Sequence, residues 1–481
     1  MKLEELEFKI DYFELDEKFY QKLEATPLNN PHLISFSKSA CDLIGLDYDE
    51  CQKDKFIKFV NGEYVLKGSI PYAMGYAGHQ FGYFVPQLGD GRAINLGAVN
   101  NWHLQTKGSG LTRYSRQGDG RAVLRSSIRE YIMSEHMHAL GIPSTRALAL
   151  IGSTHPVYRS YGEAETGAIV LRISPSWVRI GTFEFFARGK NSEENLKNLS
   201  EYVIKQSYPH LLKKEDRYEQ MFYELVDKTA KLMAQWMVYG FMHGVMNTDN
   251  MSMAGLTIDY GPYAFMDYFE KHNICNHTDV EGRYSYNNQP HIAKWNLEVL
   301  AYTLGKICNF SKLMKYLKNF ESIHQKEYLT IMNNRLGLDE SKSGDSNLEL
   351  IVKLLESLEA SRCDYNSFFY LLMEQKYQKI ADNSIYPAAI KDWLENYKQV
   401  IEKEDRSLDE RKTQMKKVNP KYVIKNYMLQ EAIEKAEQGD FSLVNDLLNI
   451  AVNPFDEHKD FENYTKPTPI EHVNLQLSCS S

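Results

Sequence analysis

An α+β fold follows from three features of the 481-residue sequence. Residues 76–123 alternate apolar side chains between glycine clusters, as in YAGHQFGYFVPQLGDGRAINLGAV and WHLQTKGSG, the pattern of β ribbon with tight turns. Two later stretches, 124–143 and 215–244, repeat apolar residues at helical spacing, and the text from there to the C-terminus is mostly helical. A β-rich part followed by a helical part is the expectation.

Four regions are expected in order. Residues 1–75 mix short apolar runs with Pro27, Pro31 and Pro71 and read as an irregular extension packed on the core. Residues 76–165 form the β-rich part. Within them, LRSSIREYIMSEHMHALGIP places Ile128, Tyr131, Ile132 and Met137 on one helical face, with Ser126 or Ser127 as cap and Gly141 and Pro143 as stop. Residues 166–335 begin with the strand AIVLRIS and continue through WVRIGTFEFFARG to a long helix. On that helix Phe222, Leu225, Val226, Thr229, Leu232, Met233 and Trp236 share a face. Residues 336–481 read as helical, with DESKSGDSN (339–347) a surface loop. In the segment 419–440 Asn419 is the expected cap, Pro420 the first helical residue and Gly439 the terminator.

Composition narrows the function. Hydrophobic residues are 43% and charged residues 25%, an ordinary globular balance that argues against wholesale disorder. A net charge of −8 opposes nonspecific binding to nucleic acid or anionic membrane, because both depend on clustered Lys and Arg. No run approaches the roughly 18 to 20 apolar residues of a membrane span, and MKLEELEFKIDYFELDEKFY resembles neither a secretory signal nor a transit peptide. A cytoplasmic monomer is the default expectation. Cys41, Cys51, Cys275, Cys308, Cys363 and Cys479 show no C-x-x-C spacing, so neither a zinc module nor a disulfide framework is indicated.

The chemistry is concentrated in HGVMNTDNMSMAGLTIDYG, residues 243–261. Kinase-type phosphotransferases use H-[RG]-D-x-x-x-x-N, whose Asp takes the acceptor proton and whose Asn holds metal, followed by D-[FY]-G, whose Asp holds metal under the phosphates. His243, Gly244, Asn250 and Asp259-Tyr260-Gly261 fit that frame, but the base position is Val245. Upstream stand a glycine turn (Gly89-Asp90-Gly91-Arg92), a strand lysine (Lys107) and a helix glutamate (Glu130), in the kinase order of parts. Each part alone is weak evidence, since G-D-G is usually only a turn and a strand lysine is usually solvated; their order is the signal. Neither G-x-G-x-x-G nor a Walker sequence is present at this site, so the phosphate cradle must be built otherwise. Candidates are Gly89 and Gly91, the turn Gly118-Asp119-Gly120-Arg121, and Arg172 and Arg179, whose guanidinium forks suit phosphate.

The strings QLGDGRA, KGSGLTRYSRQGDGRAVLRSSIREY, RIGTFE, HGVMNTDNMSMAGLTIDYGPYAFMD and GRYSYNNQP, then NPKYVIKNYMLQEAI and the tail SCSS, resemble the selenoprotein O family of pseudokinases. The resemblance implies a protein-kinase-like two-lobed fold with added C-terminal helices. It also implies ATP bound end for end, so that AMP passes to protein Ser, Thr or Tyr hydroxyls and pyrophosphate leaves. It places the proton-accepting role on Asp249 and a Mg²⁺ or Mn²⁺ ion on Asn250 and Asp259. Nucleotide contacts fall on Gly89, Gly91, Arg92, Lys107, Asp119, Gly120, Arg172 and Arg179, with Glu130 positioning Lys107. Cys479 stands where eukaryotic members carry selenocysteine, and Cys275 resembles its partner in a reversible disulfide. UMP transfer from UTP, true phosphotransfer and a catalytically dead nucleotide-binding scaffold are the alternatives. Val245 weighs against phosphotransfer, and the retained Lys107, Glu130, Asn250 and Asp259 weigh against the scaffold.

Overall fold

The computed structural model describes residues 1–159, 164–339, 344–475 and 477. Its sheet part uses β1 (Tyr20–Lys22), β2 (His32–Phe36), β3 (Tyr72–Met74), β6 (Ala93–Val99), β7 (Trp102–Lys107), β8 (Ala122–Val123), β9 (Arg146–Tyr158) and β10 (Ala164–Ser174). They pair antiparallel in the order β1-β3-β6-β7-β10-β9-β2, with β8 added against β10. A separate hairpin joins β4 (Gly78–Gln80) to β5 (Tyr83–Val85).

The first 75 residues are more regular than their sequence suggests. They supply β1 and β3 at one edge of the sheet and β2 at the other, together with α1 (Lys38–Ile44) and α2 (Asp54–Asn61). Strands of three to five residues carry too little alternation to be read. Pro31 and Pro71 sit immediately before β2 and β3, where a missing N–H costs least. With α1 and α2, the N-terminal segment covers one sheet face and buries Ile94, Leu96, Leu104, Ile169, Leu171 and Ile173.

The other face receives α3 (Leu124–Ala139), whose Ile128, Tyr131, Ile132 and Met137 are fully buried. Its cap is not a serine. Val123 occupies the N-cap in extended conformation, while Ser126 and Ser127 lie inside the first turn and Ser126 Oγ donates back to the Val123 carbonyl. Because β8 runs straight into the helix, strand pairing sets the entry angle that a capping side chain would otherwise fix.

The helical part opens with α4 (Ile180–Phe186), α5 (Ser192–Ser207) and α6 (Arg217–Tyr239). The expected face of α6 is buried, and Gly240 ends it in the left-handed region at φ +71°. The two-residue ribbon β11 (Phe241–Met242) and β12 (Ala264–Phe265) then brackets the 243–261 segment. Beyond it, α7 (Gln289–Leu304), α8 (Phe310–Leu317) and α9 (Phe320–Leu336) pack on α6. A second core gathers around Trp393 from α10 (Gly344–Ser361), α11 (Tyr365–Met373), α12 (Tyr377–Asp382) and α13 (Ala388–Glu402). Of the loop expected at 339–347, residues 340–343 lie outside the described residues, and 344–347 are already the first turn of α10. No helix among the described residues is long and apolar enough to cross a membrane.

After α14 (Leu408–Met415), the helix expected from Asn419 begins later, as α15 (Asn426–Glu437). Asn419 does not cap it, because its side chain is spent on Arg335: Oδ1 accepts from Arg335 Nε (2.9 Å) and Nδ2 donates to the Arg335 carbonyl (2.8 Å). Tyr422, Val423 and Ile424 instead precede the helix outside regular secondary structure and are buried in the core.

These C-terminal elements, ending with α16 (Ser442–Val452), are pinned to α3 by His136. Its Nε2 accepts from the Ile424 amide (3.2 Å), so Nδ1 carries the proton and donates to the Ala451 carbonyl (3.1 Å). Burial pushes the imidazole down from 6.5 to about 4. The folded state therefore binds this proton less readily than the unfolded chain. The stability from neutral His136 is complete above pH 6.5 and is lost progressively down to about pH 4, by about 3 kcal/mol. Thermal melts across that window should show Tm falling with pH, and His136→Phe, though less stable at neutrality, should show a shallower slope.

Candidate active site

Strand register assembles the cationic wall. Alternation along β10 turns Ile169, Leu171 and Ile173 toward the N-terminal helices and leaves Val170 and Arg172 on the opposite face. Pairing with β7 sets Val170 across from Lys107 and Arg172 across from Gln105, so the lysine and arginine are diagonal neighbours on one surface. Lys107 Nζ meets Glu130 Oε2 of α3 at 2.5 Å, and Arg172 Nη1 meets Glu130 Oε1 at 2.5 Å. Arg172 is also held by Gln105 and stacks its guanidinium over Trp177 at 4.7 Å.

Asp259 enters this network from the helical part. Arg172 Nη1 reaches its Oδ1 at 2.5 Å, Arg179 Nη1 pairs with its Oδ2, and Lys107 Nζ lies 3.9 Å from Oδ1. Three cations thus face two carboxylates. Burial alone would raise Asp259, but Arg179, Arg172 and Lys107 outweigh it and hold the carboxyl well below its usual range. The residue sits at φ +58°, a left-handed conformation that is costly outside glycine and recurs at functional sites. His243 steadies the approach: Nδ1 accepts from the Val245 amide (3.4 Å), and Nε2 donates to the Ile258 carbonyl (2.9 Å).

Arg179 Nη1 also donates to the Asp249 main-chain carbonyl (2.8 Å), but among the described residues the Asp249 side chain makes no ion pair. Asp249 lies in the single turn of 3-10 helix Thr248–Asn250, 7% exposed, with Oδ2 accepting from Gln80 Nε2 at 3.3 Å and Oδ1 without a hydrogen-bond partner among the described residues. Burial raises its carboxyl to about 7, against the pull of Arg179. A carboxyl poised there can accept a proton near neutrality. Val245, at the position where kinase-type sites carry the base, is apolar and lines the same cleft.

The cleft between the two parts measures about 590 Å³. Gly89, Gly91, Arg92, Lys107, Asp119, Gly120, Arg172, Arg179, Asp249, Asn250 and Asp259 all line it, and Glu130 lies directly behind Lys107. Gly120 closes the second glycine turn at φ +72°, where a Cβ would lie 2.2 Å from the Gly110 backbone. Asp119 is occupied: it accepts from the Arg121 amide (2.9 Å) and pairs with Arg159 (2.9 Å), so it shapes the turn and can meet hydroxyl or amine groups, not phosphate.

Asn250 Nδ2 is spent on the Val245 carbonyl (3.0 Å), which leaves its oxygen as the atom able to serve a cation. Among the described residues no group of three His, Cys, Asp or Glu side chains forms a ready cage for a metal. Asn250 and Asp259 offer oxygen donors of the kind Mg²⁺ and Mn²⁺ take, with both Asp259 oxygens paired here with Arg172 and Arg179.

Cys275 is not a cleft residue. It is buried beneath the floor, its thiol donates to the Pro262 carbonyl (2.8 Å), and burial pushes it up to about 12. Cys479 lies outside the described residues. The tail reaches Cys275 through Leu477, whose N–H donates to the Cys275 carbonyl (3.3 Å) and whose carbonyl accepts from His277 (3.1 Å). Sequence reasoning missed Gln105, Arg159 and Gln80. Alternation along the Lys107 strand could have flagged Gln105; no local signal marks the other two.

The chain is similar to known proteins over its full length. The family model described as protein adenylyltransferase SelO matches residues 2–451. The chain is 42% identical to the protein nucleotidyltransferase YdiU of Ectopseudomonas mendocina over 490 residues, covering 100% of both chains. It is 43% identical to that of Stutzerimonas stutzeri, covering 100% of this chain and 99% of the relative, and 42% identical to that of Myxococcus xanthus, again over 100% and 99%.

Proposed function

The chain belongs to the SelO family, and from that premise we propose that this enzyme is a nucleotidyltransferase with a kinase-like two-part site that moves AMP from ATP to hydroxyl side chains of proteins. The observation that carries the reading is the pair Val245 and Asp249. The kinase base position is apolar, yet a buried carboxyl with a raised pKa stands a few positions on in the same cleft.

In this reading Asp249 takes the proton of the acceptor hydroxyl, the oxygen bonds to the α-phosphorus, and the bond to the β-phosphate oxygen breaks to release pyrophosphate. The nucleotide must then lie reversed relative to a kinase, with its outer phosphates toward the arginines. Lys107, fixed by Glu130, and Arg172 and Arg179 offset phosphate charge without reorganising. Asn250 and Asp259 would hold Mg²⁺ or Mn²⁺, which supplies further charge neutralisation at the transferring phosphate. Cys275 with Cys479 remains our proposed redox pair, supported by the pairing of Leu477 beside Cys275.

Incubation with ATP labelled on the α or the γ phosphate tests the reaction: protein-bound α label is expected, whereas γ label means phosphorylation and neither label means a scaffold. Competition by UTP in the same assay reports the choice of base. Orientation has its own test. Arg172→Ala or Arg179→Ala should weaken ATP by at least about tenfold and AMP much less, since a charge-assisted bond to phosphate is worth about 1.5–3 kcal/mol. Equal losses for both nucleotides in calorimetry would overturn the reversed orientation.

A further inference from the structure

The β4–β5 hairpin grips the loop that carries Asp249. Its backbone makes successive bonds to the helical part: the Ala77 amide donates to the Gly181 carbonyl (2.9 Å) and the His79 amide to Thr248 Oγ1 (2.7 Å). The Phe81 amide donates to Tyr284 Oη (2.9 Å) and Asn247 Oδ1 (3.3 Å), and Tyr284 Oη donates to the same Asn247 oxygen (2.6 Å). On the hairpin's other side, His79 Nδ1 pairs with Glu184 of α4 at 2.6 Å. Residues 247, 248 and 249 are each held from one short ribbon.

Two features show that the ribbon is shaped for this contact. Its two-residue turn places Phe81 at φ +50° and Gly82 at φ +84°; glycine bears that conformation freely, but an aromatic residue there is strained. The strain is held in place by the Phe81 amide bonds and by the ring packing on Tyr284 at 5.2 Å. Gly78 is the second feature. A Cβ at this position would lie 2.3 Å from Asp249 Oδ1, so only glycine lets the strand approach the carboxylate, although its backbone is outside the left-handed region. Gln80, two residues along the same strand face, donates to Oδ2 at 3.3 Å.

We propose that the β4–β5 hairpin is the positioning element for the proton acceptor, with Gln80 orienting the Asp249 carboxylate and Gly78 leaving the space in which it is held. One oxygen is fixed by the amide of Gln80 and the other is packed on the Gly78 backbone, so the side chain has one orientation before any acceptor arrives. Such preorganisation acts on turnover, not on nucleotide affinity. This inference rests on the reading of Asp249 as proton acceptor.

The test uses the full chain, α-labelled ATP and casein as a hydroxyl-bearing acceptor, with ATP affinity measured by calorimetry and folding by thermal melt. Gln80→Leu keeps the shape and removes the donor; it should lower kcat by about 10- to 100-fold, the worth of one hydrogen bond to a charged group, with ATP affinity and Tm unchanged. Gly78→Ala should likewise lower kcat through steric displacement of the carboxylate, here with a lower Tm, since its Cβ would fall 2.3 Å from Asp249 Oδ1. In an Asp249→Asn background Gln80→Leu should add nothing, because it acts only through that carboxylate. A Gln80→Leu protein at the wild-type rate, or one whose loss persists undiminished beside Asp249→Asn, would overturn the proposal while leaving Asp249 as base. Asp249→Asn at the wild-type rate, or no α-label transfer by the wild type, would remove the underlying reading itself.

Discussion

Asp259→Ala is expected to reduce nucleotidyl transfer by about 10³-fold or more, the scale seen when a preorganised electrostatic group is removed from a reacting centre. The argument has two parts that the experiment must separate. As proposed metal ligand, Asp259 brings a cation to the phosphates. As a structural anion, it pairs with both Arg172 and Arg179, which are themselves 1% and 2% exposed. Removing it leaves two buried guanidinium groups without their shared partner, and breaking a buried pair typically costs about 3–5 kcal/mol. Asp259→Ala is therefore expected to melt at lower temperature as well as lose activity. Asp259→Asn keeps shape and hydrogen-bonding oxygen and should fold more nearly as wild type while remaining inactive. Calorimetry should show that added Mg²⁺ or Mn²⁺ no longer strengthens ATP binding in either variant. Activity of Asp259→Asn within tenfold of wild type, with metal enhancement intact, would remove Asp259 from the metal site and leave it a purely structural anion.

Asp249→Ala is expected to slow transfer by about 10²- to 10⁴-fold, the usual contribution of a positioned general base, with ATP affinity within a few-fold of wild type. The geometry separates rate from binding. Among the described residues Asp249 makes no ion pair and its only side-chain hydrogen bond is with Gln80, and the charges proposed to face phosphate belong to other residues. Truncation removes a buried carboxyl held by a single long hydrogen bond from Gln80, so at most a small change in stability is expected. Unchanged turnover combined with a large loss of ATP affinity would make Asp249 a binding residue and require another proton acceptor.

Much of the candidate site was legible in the order of short motifs. Glycine turn, strand lysine, helix glutamate and the 243–261 segment follow one another as in a kinase-type site, and the structure gathers the turn, Lys107, Asn250 and Asp259 around one cleft with Glu130 behind the lysine. Helices with a full apolar face, such as α3 and α6, were legible for the same local reason: the 3.6-residue period repeats often enough to be counted. The short strands β1, β2 and β3 were not, since three to five residues do not establish a period. The start of α15 was misplaced because Asn419 looks like a cap in sequence. Its side chain is claimed by Arg335, 84 residues away.

By itself, the sequence determined which residue types were available and in what local setting: a D-Y-G aspartate, a lysine on a strand, a glutamate on a helix, an apolar residue at the base position. The tertiary structure alone decided their partners. Arg172 meets Asp259 across 87 residues, and Gln80 meets Asp249 across 169. Periodicity and capping are near-neighbour effects and are written in neighbouring letters. Electrostatic and hydrogen-bond partners are set by distance in space, which depends on how the sheet's register and the helical part dock together, and no local pattern encodes that distance.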